Sequence, residues 1–393
     1  MIAIEGAPRT GAWWLVPLAI AQIVSWGVLY YSTLVAASRI SAETGWSLPL
    51  VTGLFSGGLV VSAVAGIWAG RLLDLRGPRT IMTLGSIVGS AGFALIALAP
   101  NPLVFALGWL VTGAAQSAVL YQAIFTVITR RYGDRRRGPL TLITLAGGLA
   151  STIFAPITAA LLSVHDWRTT FLILAAVNAV ITIPVHWFFL EARWRLPEKQ
   201  EGVDRPRHTV STVLRTRRFW FLELSTIAIA IALFSVTLAA IPLFEEKGMS
   251  FELAAMAFGL IGAGQIVGRL LFVALPRTVA PWIPLATVGT LTAACFALLA
   301  WMPGPIWAII AIGIVAGAIR GAQTLVNASA VADRWGTENY GAINGVFAMP
   351  ITIVGALTPV VGPLVASGAG SYATVALIMA GVAIVGALLA RWS

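Results

Sequence analysis

Twelve apolar runs, each long enough to cross a bilayer, follow one another along this chain with little between them. They lie at about 13–36, 47–71, 81–99, 103–128, 139–163, 169–190, 219–243, 252–275, 282–302, 305–331, 341–367 and 371–391. A membrane helix takes roughly 20 apolar residues. Most runs end at Pro, Gly or a charge, as in Ala99-Pro100-Asn101-Pro102 and Met302-Pro303-Gly304-Pro305. Of the 393 residues, 59% are hydrophobic and 10% charged, against about 25% charged in a soluble domain. A soluble fold of this size could not cover so much apolar surface. A soluble enzyme, a nucleic-acid binder and a disordered tail are therefore excluded, and the chain needs a lipid bilayer around it. Its 39 glycines and 20 prolines are tolerable in membrane helices, where neighbours and water satisfy the backbone again.

The basic residues set an expected orientation. Of the 25 Lys and Arg, all except Arg39, Arg168, Lys247, Arg269 and Arg320 fall in one set of alternate loops and the two termini. The densest cluster is Arg130-Arg131-Tyr132-Gly133-Asp134-Arg135-Arg136-Arg137. By the positive-inside rule both termini and the long loop from Glu191 to Arg218 are cytoplasmic. The same spread along one membrane face removes nucleic acid as the explanation of a pI near 10.8. Met1 to Gly11 is short and polar, and the run after it is too long for the core of a cleavable signal. The single cysteine, Cys295, sits in an apolar run and reads as a packing residue.

The halves echo each other. Gly70-Arg71-Leu72-Leu73 matches Gly268-Arg269-Leu270-Leu271. Arg131-Tyr132-Gly133, with Gly138 and Pro156, matches Arg334-Trp335-Gly336, with Gly341 and Pro359, at a constant offset. Six helices, a charged linker and six more suit a transporter whose halves rock about a central site.

The loop Gly70-Arg71-Leu72-Leu73-Asp74-Leu75-Arg76-Gly77-Pro78-Arg79 resembles the cytoplasmic signature of the major facilitator superfamily: Gly, an aspartate four residues on, then Gly and a basic residue. Pro78 and Leu75 occupy positions that are usually basic there. His165-Asp166-Trp167-Arg168 resembles a Trp-Arg turn of bacterial members. The resemblance covers essentially the whole chain. It implies an all-α membrane protein with 12 transmembrane helices in two six-helix bundles, expected at 1–191 and 219–393 with a cytoplasmic linker at 192–218. Physically, Gly70 allows close helix approach, and Asp74 can pair with Arg71 or Arg76 or cap a helix. Gly70, Arg71, Asp74, Arg76, Gly77 and Arg79 are thus expected to form a conformational lock; the alternative is a solvated turn that only sets topology.

Polar residues inside membrane spans are costly, so they are informative. In span ten, Arg320, Gln323, Thr324 and Asn327 share one helical stripe, with no carboxylate at that depth. The stripe reads as a guanidinium holding an anion, or as an arginine tied to carbonyls and amides in helix packing. In span eight, Gln265-Ile266-Val267-Gly268-Arg269 resembles that span of monocarboxylate-porter relatives, where the arginine engages a substrate carboxylate. Those relatives often carry an acid where Gln265 stands, and an amide does not titrate. Arg269 also matches Arg71 and could belong to a second lock. Span one aligns Gln22, Trp26, Tyr30 and Thr33, and Ser25-Trp26-Gly27-Val28-Leu29-Tyr30-Tyr31 resembles a stretch common near the monocarboxylate porters. Span four adds Ser117, Tyr121 and Phe125, with Gln122 beside them. Such faces suit a pocket for a small organic ligand, although Trp and Tyr also fill helix interfaces.

Drug exporters of the superfamily usually carry a basic residue in span four where Trp109 stands, and glycines around the Pro of span five, which Ala155-Pro156-Ile157-Thr158-Ala159 lacks. The scattered His165, His186 and His208 form no paired zinc motif. Neither a nucleophile elbow nor a phosphate-binding Walker loop occurs. No enzymatic activity, metal or cofactor is expected. The sequence thus points to a secondary transporter of the inner (plasma) membrane, moving a small organic anion such as a monocarboxylate by alternating access. Substrate contacts are expected from Arg320, Arg269, Gln323, Thr324, Asn327, Gln265, Gln22, Trp26, Tyr30, Tyr121 and Gln122. An exporter of drug-like solutes is the second reading and a non-transporting receptor the third. A coupled proton could travel on the substrate, on a peripheral group such as Asp74, or not at all.

Overall fold

A computed structural model describes residues 12–194, 209–274 and 279–393, and within these all side chains except 12, 237, 238, 252, 255 and 358–369. The middle of the expected linker, with His208, lies outside the described residues, as do the N-terminal residues 1–11 and the side chain of Pro359. Among the described residues, twelve helices are long and apolar enough to cross a membrane, and no strand occurs. By contact the chain divides into two compact units, Met1–Val203 and Asp204–Ser393.

The first unit holds α1 (Leu15–Thr44), α2 (Leu48–Arg76), α3 (Pro78–Ala97), α4 (Pro102–Arg135), α5 (Arg137–Val164) and α6 (Trp167–Phe189). Local chemistry sets their ends. Gly45 stops α1 at φ 74, where only glycine is at ease. Ser47, Asn101 and Asp166 accept hydrogen bonds from the backbone N–H groups of Leu50, Val104 and Thr169 and so cap α2, α4 and α6. The side-chain and backbone hydrogen bonds from Thr169 hold the Asp166 carboxyl below its ordinary range. Arg168 donates to the carbonyls of Ala97 and Ala99, at 2.8 and 2.7 Å, closing the end of α3. The Trp-Arg turn is therefore a capping device.

α2 packs on α4, α3 on α4 and α6, and α1 on α5 and α6. Without a hydrophobic drive between helices in lipid, packing rests on close backbone approach. A Cβ on Gly113 would run into the Gly58 backbone, so α2 and α4 cross at nearly direct backbone contact. Around that crossing, Phe93 stacks on Phe171 at 4.5 Å, and Trp109 meets Phe55 edge-on at 5.0 Å. Outward faces are apolar, as at Val180 and Phe188.

The second unit holds α7 (Arg217–Leu238), α8 (Phe251–Ala274), α9 (Trp282–Trp301), α10 (Ile306–Trp335), α11 (Tyr340–Ala369) and α12 (Tyr372–Ala390). Its pairings repeat those of the first: α8 on α10, α9 on α12, and α7 on α11 and α12. The α8–α10 crossing is again made by glycine. Gly264 and Gly268 lie against the carbonyls of Ile314 and Ala318, and Gly317 and Gly321 against those of Ile261 and Gln265. The internal repeat is thus a repeat of packing as well as of sequence.

Helix ends differ from the apolar runs in places. α1 continues to Thr44 and α4 to Arg135, through polar residues that hydropathy alone excludes. The seventh run breaks after Leu238, and Ala240–Glu246 forms a separate short helix.

Candidate functional site

In the second unit the α8–α10 crossing sets the depth of both intramembrane arginines. With Gly321 against Gln265 and Gly268 against Ala318, the helices run in parallel. Averaged over these contacts, Arg320 lies level with about Val267, and Arg269 is about two residues further along, roughly 3 Å at 1.5 Å per residue. The Arg320 guanidinium is half-buried and lies over the Phe234 ring of α7, 4.8 Å from its centroid, a cation–π contact. Beside it Gln323 is buried. Its Nε2, like Oδ1 of half-buried Asn327, has no hydrogen-bond partner among the described residues. Thr324 donates to the carbonyl of Arg320, 3.3 Å away, within its own helix. Arg269 is buried. Buried amide groups left open beside a guanidinium are what a polar ligand or water would complete.

The first unit supplies an aromatic cluster. α1 carries a π turn at Gly27–Tyr31, and such turns often mark functional positions. Gln116 of α4 donates to the Leu29 carbonyl within that turn, at 2.7 Å. The extra residue brings both Tyr30 and Tyr31 onto Trp26, at 5.4 and 6.3 Å. Trp26 also meets Tyr121 at 4.8 Å, and Tyr121 stacks on Phe125 at 5.1 Å. Trp26, Tyr30, Tyr31 and Tyr121 are half-buried. The Trp26 Nε1 has no hydrogen-bond partner among the described residues. The Tyr121 hydroxyl donates to the Thr144 carbonyl at 3.1 Å.

Two amides from the expected pocket work in helix packing. Gln22 is 0% exposed and donates to the Val119 carbonyl at 2.7 Å, tying α1 to α4. Gln122 donates to the Gly66 carbonyl at 2.9 Å, and a Cβ at Gly66 would collide with its amide. Thr33 is buried.

At the end of the first unit where α2 meets α3, Asp74 pairs with Arg130 of α4, Nη1 to Oδ1 2.8 Å, with the carboxylate side chain only 4% exposed. This corrects the expected pairing with Arg71 or Arg76: both point outward from α2 and are exposed. Trp194 covers the Arg130 guanidinium at 4.9 Å and donates to the Leu73 carbonyl at 2.6 Å. Arg131 pairs with Glu191 at 2.6 Å and lies over Trp14 at 3.9 Å. Arg79 donates from Nε to Leu190 O and from its backbone N–H to Glu191 O. Gly77, at φ 82, leaves only 2.7 Å between a would-be Cβ and the Ala192 carbonyl. Gly70 is buried within α2. The signature thus binds α2, α3, α4 and the segment after α6 into one charged knot inside the first unit. Sequence reasoning missed Arg130, Trp194, Gln116, Tyr31 and Phe234. The arginine and tryptophan signals were present, but nothing in the sequence assigns partners 56 or more residues apart.

Comparison with known proteins places this architecture. The family model described as Major Facilitator Superfamily matches residues 18–316, and the chain belongs to that superfamily. An outward-conformation crystal structure of the MFS transporter FucP superposes with a TM-score of 0.76, covering 96% of this chain and 97% of that one at 17% identity; this likeness shows the fold. An uncharacterized 38 kDa protein of Thermoproteus tenax is 29% identical, covering 72% of this chain and 71% of that one. An MFS-type efflux pump of Mycolicibacterium smegmatis is 30% identical over 54% of this chain and 51% of its own. The oxalate:formate antiporter of Oxalobacter formigenes is 24% identical over 53% and 50%. The chain thus spans about half the length of the last two. It is a multi-pass membrane protein with the transporter fold.

Proposed function

We propose that this protein is a secondary active transporter that moves a small organic anion, such as a monocarboxylate, across the inner membrane by alternating access, with both termini cytoplasmic. The carrying observation is the half-buried Arg320 guanidinium over Phe234, with the open amide groups of Gln323 and Asn327 on the same stripe. A charged fork with adjacent amides suits a carboxylate. Arg269, at nearly the same depth, is the second contact, and Gln265 and Thr324 line the same region. The relative named for oxalate and formate supports this substrate class.

The second reading, an exporter of drug-like solutes, is favoured by the Trp26–Tyr30–Tyr31–Tyr121 cluster and by the relative named as an efflux pump. Broad apolar ligands stack on such surfaces.

A thermal-shift screen of organic acids, amines and amphiphilic drugs separates the two, since a ligand raises apparent stability. Equilibrium binding of the best acid then tests the site. Losing a charge-assisted hydrogen bond costs about 1.5–3 kcal/mol, so Arg320→Gln should bind roughly ten- to a hundred-fold more weakly. Arg320→Lys, which lacks the planar fork, should also weaken binding. Unchanged affinity in a folded Arg320→Gln would sink the assignment. A best ligand that is a cation or a neutral drug would favour the exporter.

A further inference from the structure

Glu223 lies six residues into α7, roughly 9 Å along the axis from Arg217 at 1.5 Å per residue. It is 3% exposed, and neither carboxylate oxygen has a hydrogen-bond partner among the described residues. Buried polar groups are nearly always hydrogen-bonded, so packing alone does not account for it.

Among the described residues, the surrounding elements supply no counter-charge. α7 packs on α9, α11 and α12 and touches the short helices Val210–Leu214 and Ala240–Glu246. The titratable residues on these elements are Cys295, Tyr340, Tyr372, Glu245 and Glu246. The Tyr340 hydroxyl donates to the Ala328 carbonyl at 2.7 Å. Glu246 accepts from the Tyr372 backbone N–H at 2.6 Å, at the opposite end of the unit. Cys295 is buried within α9. Nearer Glu223, Arg217, Arg218 and Arg391 are exposed. Arg334, next to Asp333, donates to the Pro281 carbonyl and to Ser393. Arg320 is held at Phe234, eleven residues further along α7, roughly 16 Å away, so Glu223 is not its counter-ion.

An isolated carboxylate taken out of water is costly, whereas the neutral acid is tolerated far better. The charge of such a group and its contact with water must change together. We infer that Glu223 is the proton-carrying residue of the transport cycle, an inference that rests on the transporter reading above. The carboxylate accepts one proton from water when solvent reaches it from one side of the membrane. The neutral acid is carried while enclosed, and the O–H bond breaks to return that proton to water on the other side. No redox partner is needed. Sequence reading places Glu223 only near a helix end; its enclosure is a property of the packed unit.

Two measurements test it. Infrared titration of purified protein should show a carboxylic-acid carbonyl band that changes with pH in wild type and is absent in Glu223→Gln, a variant isosteric with the neutral acid. In proteoliposomes offered labelled formate, oxalate, acetate or lactate, wild type should accumulate its substrate under an imposed pH gradient. Glu223→Gln should lose at least ten-fold of that accumulation while keeping substrate exchange, which needs no net proton movement. Wild-type accumulation by Glu223→Gln, or the lack of any pH-dependent band assignable to Glu223, overturns the inference. If wild type moves none of the four acids, the organic-anion reading fails, and the infrared titration still decides Glu223.

Discussion

One pair of glutamines shows how far residue type alone carries. Gln22 and Gln323 both sit on polar stripes, yet the first is bonded across a helix contact and the second keeps an open amide nitrogen beside Arg320. Their substitutions should therefore separate. Gln22→Leu leaves the Val119 carbonyl without its donor, a loss of about 1–3 kcal/mol, so the protein should melt earlier with ligand affinity unchanged. Gln323→Leu should melt as wild type or later while binding the screened acid more weakly. A melting scan and one binding isotherm for each variant check this; the opposite pattern would move Gln22 into the site and Gln323 out of it. The sequence makes both residues visible, because polar side chains stand out in apolar runs. It does not tell them apart, because the discriminating contact comes from another helix 97 positions away for Gln22.

At the scale of elements, glycine and charge divide the work. Glycine sets the α2–α4 and α8–α10 crossings, while charge joins helix ends in the first unit. The twelve helices and their repeat were legible because hydropathy and Gly-Arg spacing are local signals. The π turn in α1 was not, since no residue between Gly27 and Tyr31 demands it; Gln116 bonding the Leu29 carbonyl holds it from outside. Nor was the partner of Asp74, because Arg130 is one of five arginines in its loop and only the α2–α4 crossing selects it. With Arg130 as the partner, Asp74→Asn and Arg130→Gln should impair the same step: turnover falls and affinity holds, because the pair lies at the unit's end. The exchanged pair Asp74→Arg with Arg130→Asp should recover part of the lost rate if the ion pair is what matters. Transport rates at matched protein levels measure this. Normal turnover in Asp74→Asn, or no recovery in a folded exchange variant, would count against the lock.

Across the whole molecule, the repeat is kept in packing and broken in chemistry. At the offset of the Arg131 and Arg334 motifs, Ser117 corresponds to Arg320 and Tyr121 to Thr324. The first unit thus carries a hydroxyl and an aromatic ring where the second carries a guanidinium and a hydroxyl. Which side each loop faces is the remaining whole-molecule question, and the basic residues argue it through the positive-inside rule. The structure supplies better probe positions than the sequence does. Arg136, in the densest basic cluster, is buried, whereas Asp134 beside it is fully exposed. Glu245, in the short helix that follows α7, is exposed as well. With the buried Cys295 replaced by Ala, a single cysteine at Asp134 should be shielded from a membrane-impermeant thiol reagent in intact cells and react once the cells are opened. A cysteine at Glu245 should react in both. An odd number of crossings separates these positions, so their labelling must differ if every helix between them spans the bilayer. Labelling of position 134 from outside, with 245 protected, would reverse the orientation and keep the twelve spans. Equal labelling of the two would instead remove a span from the assignment.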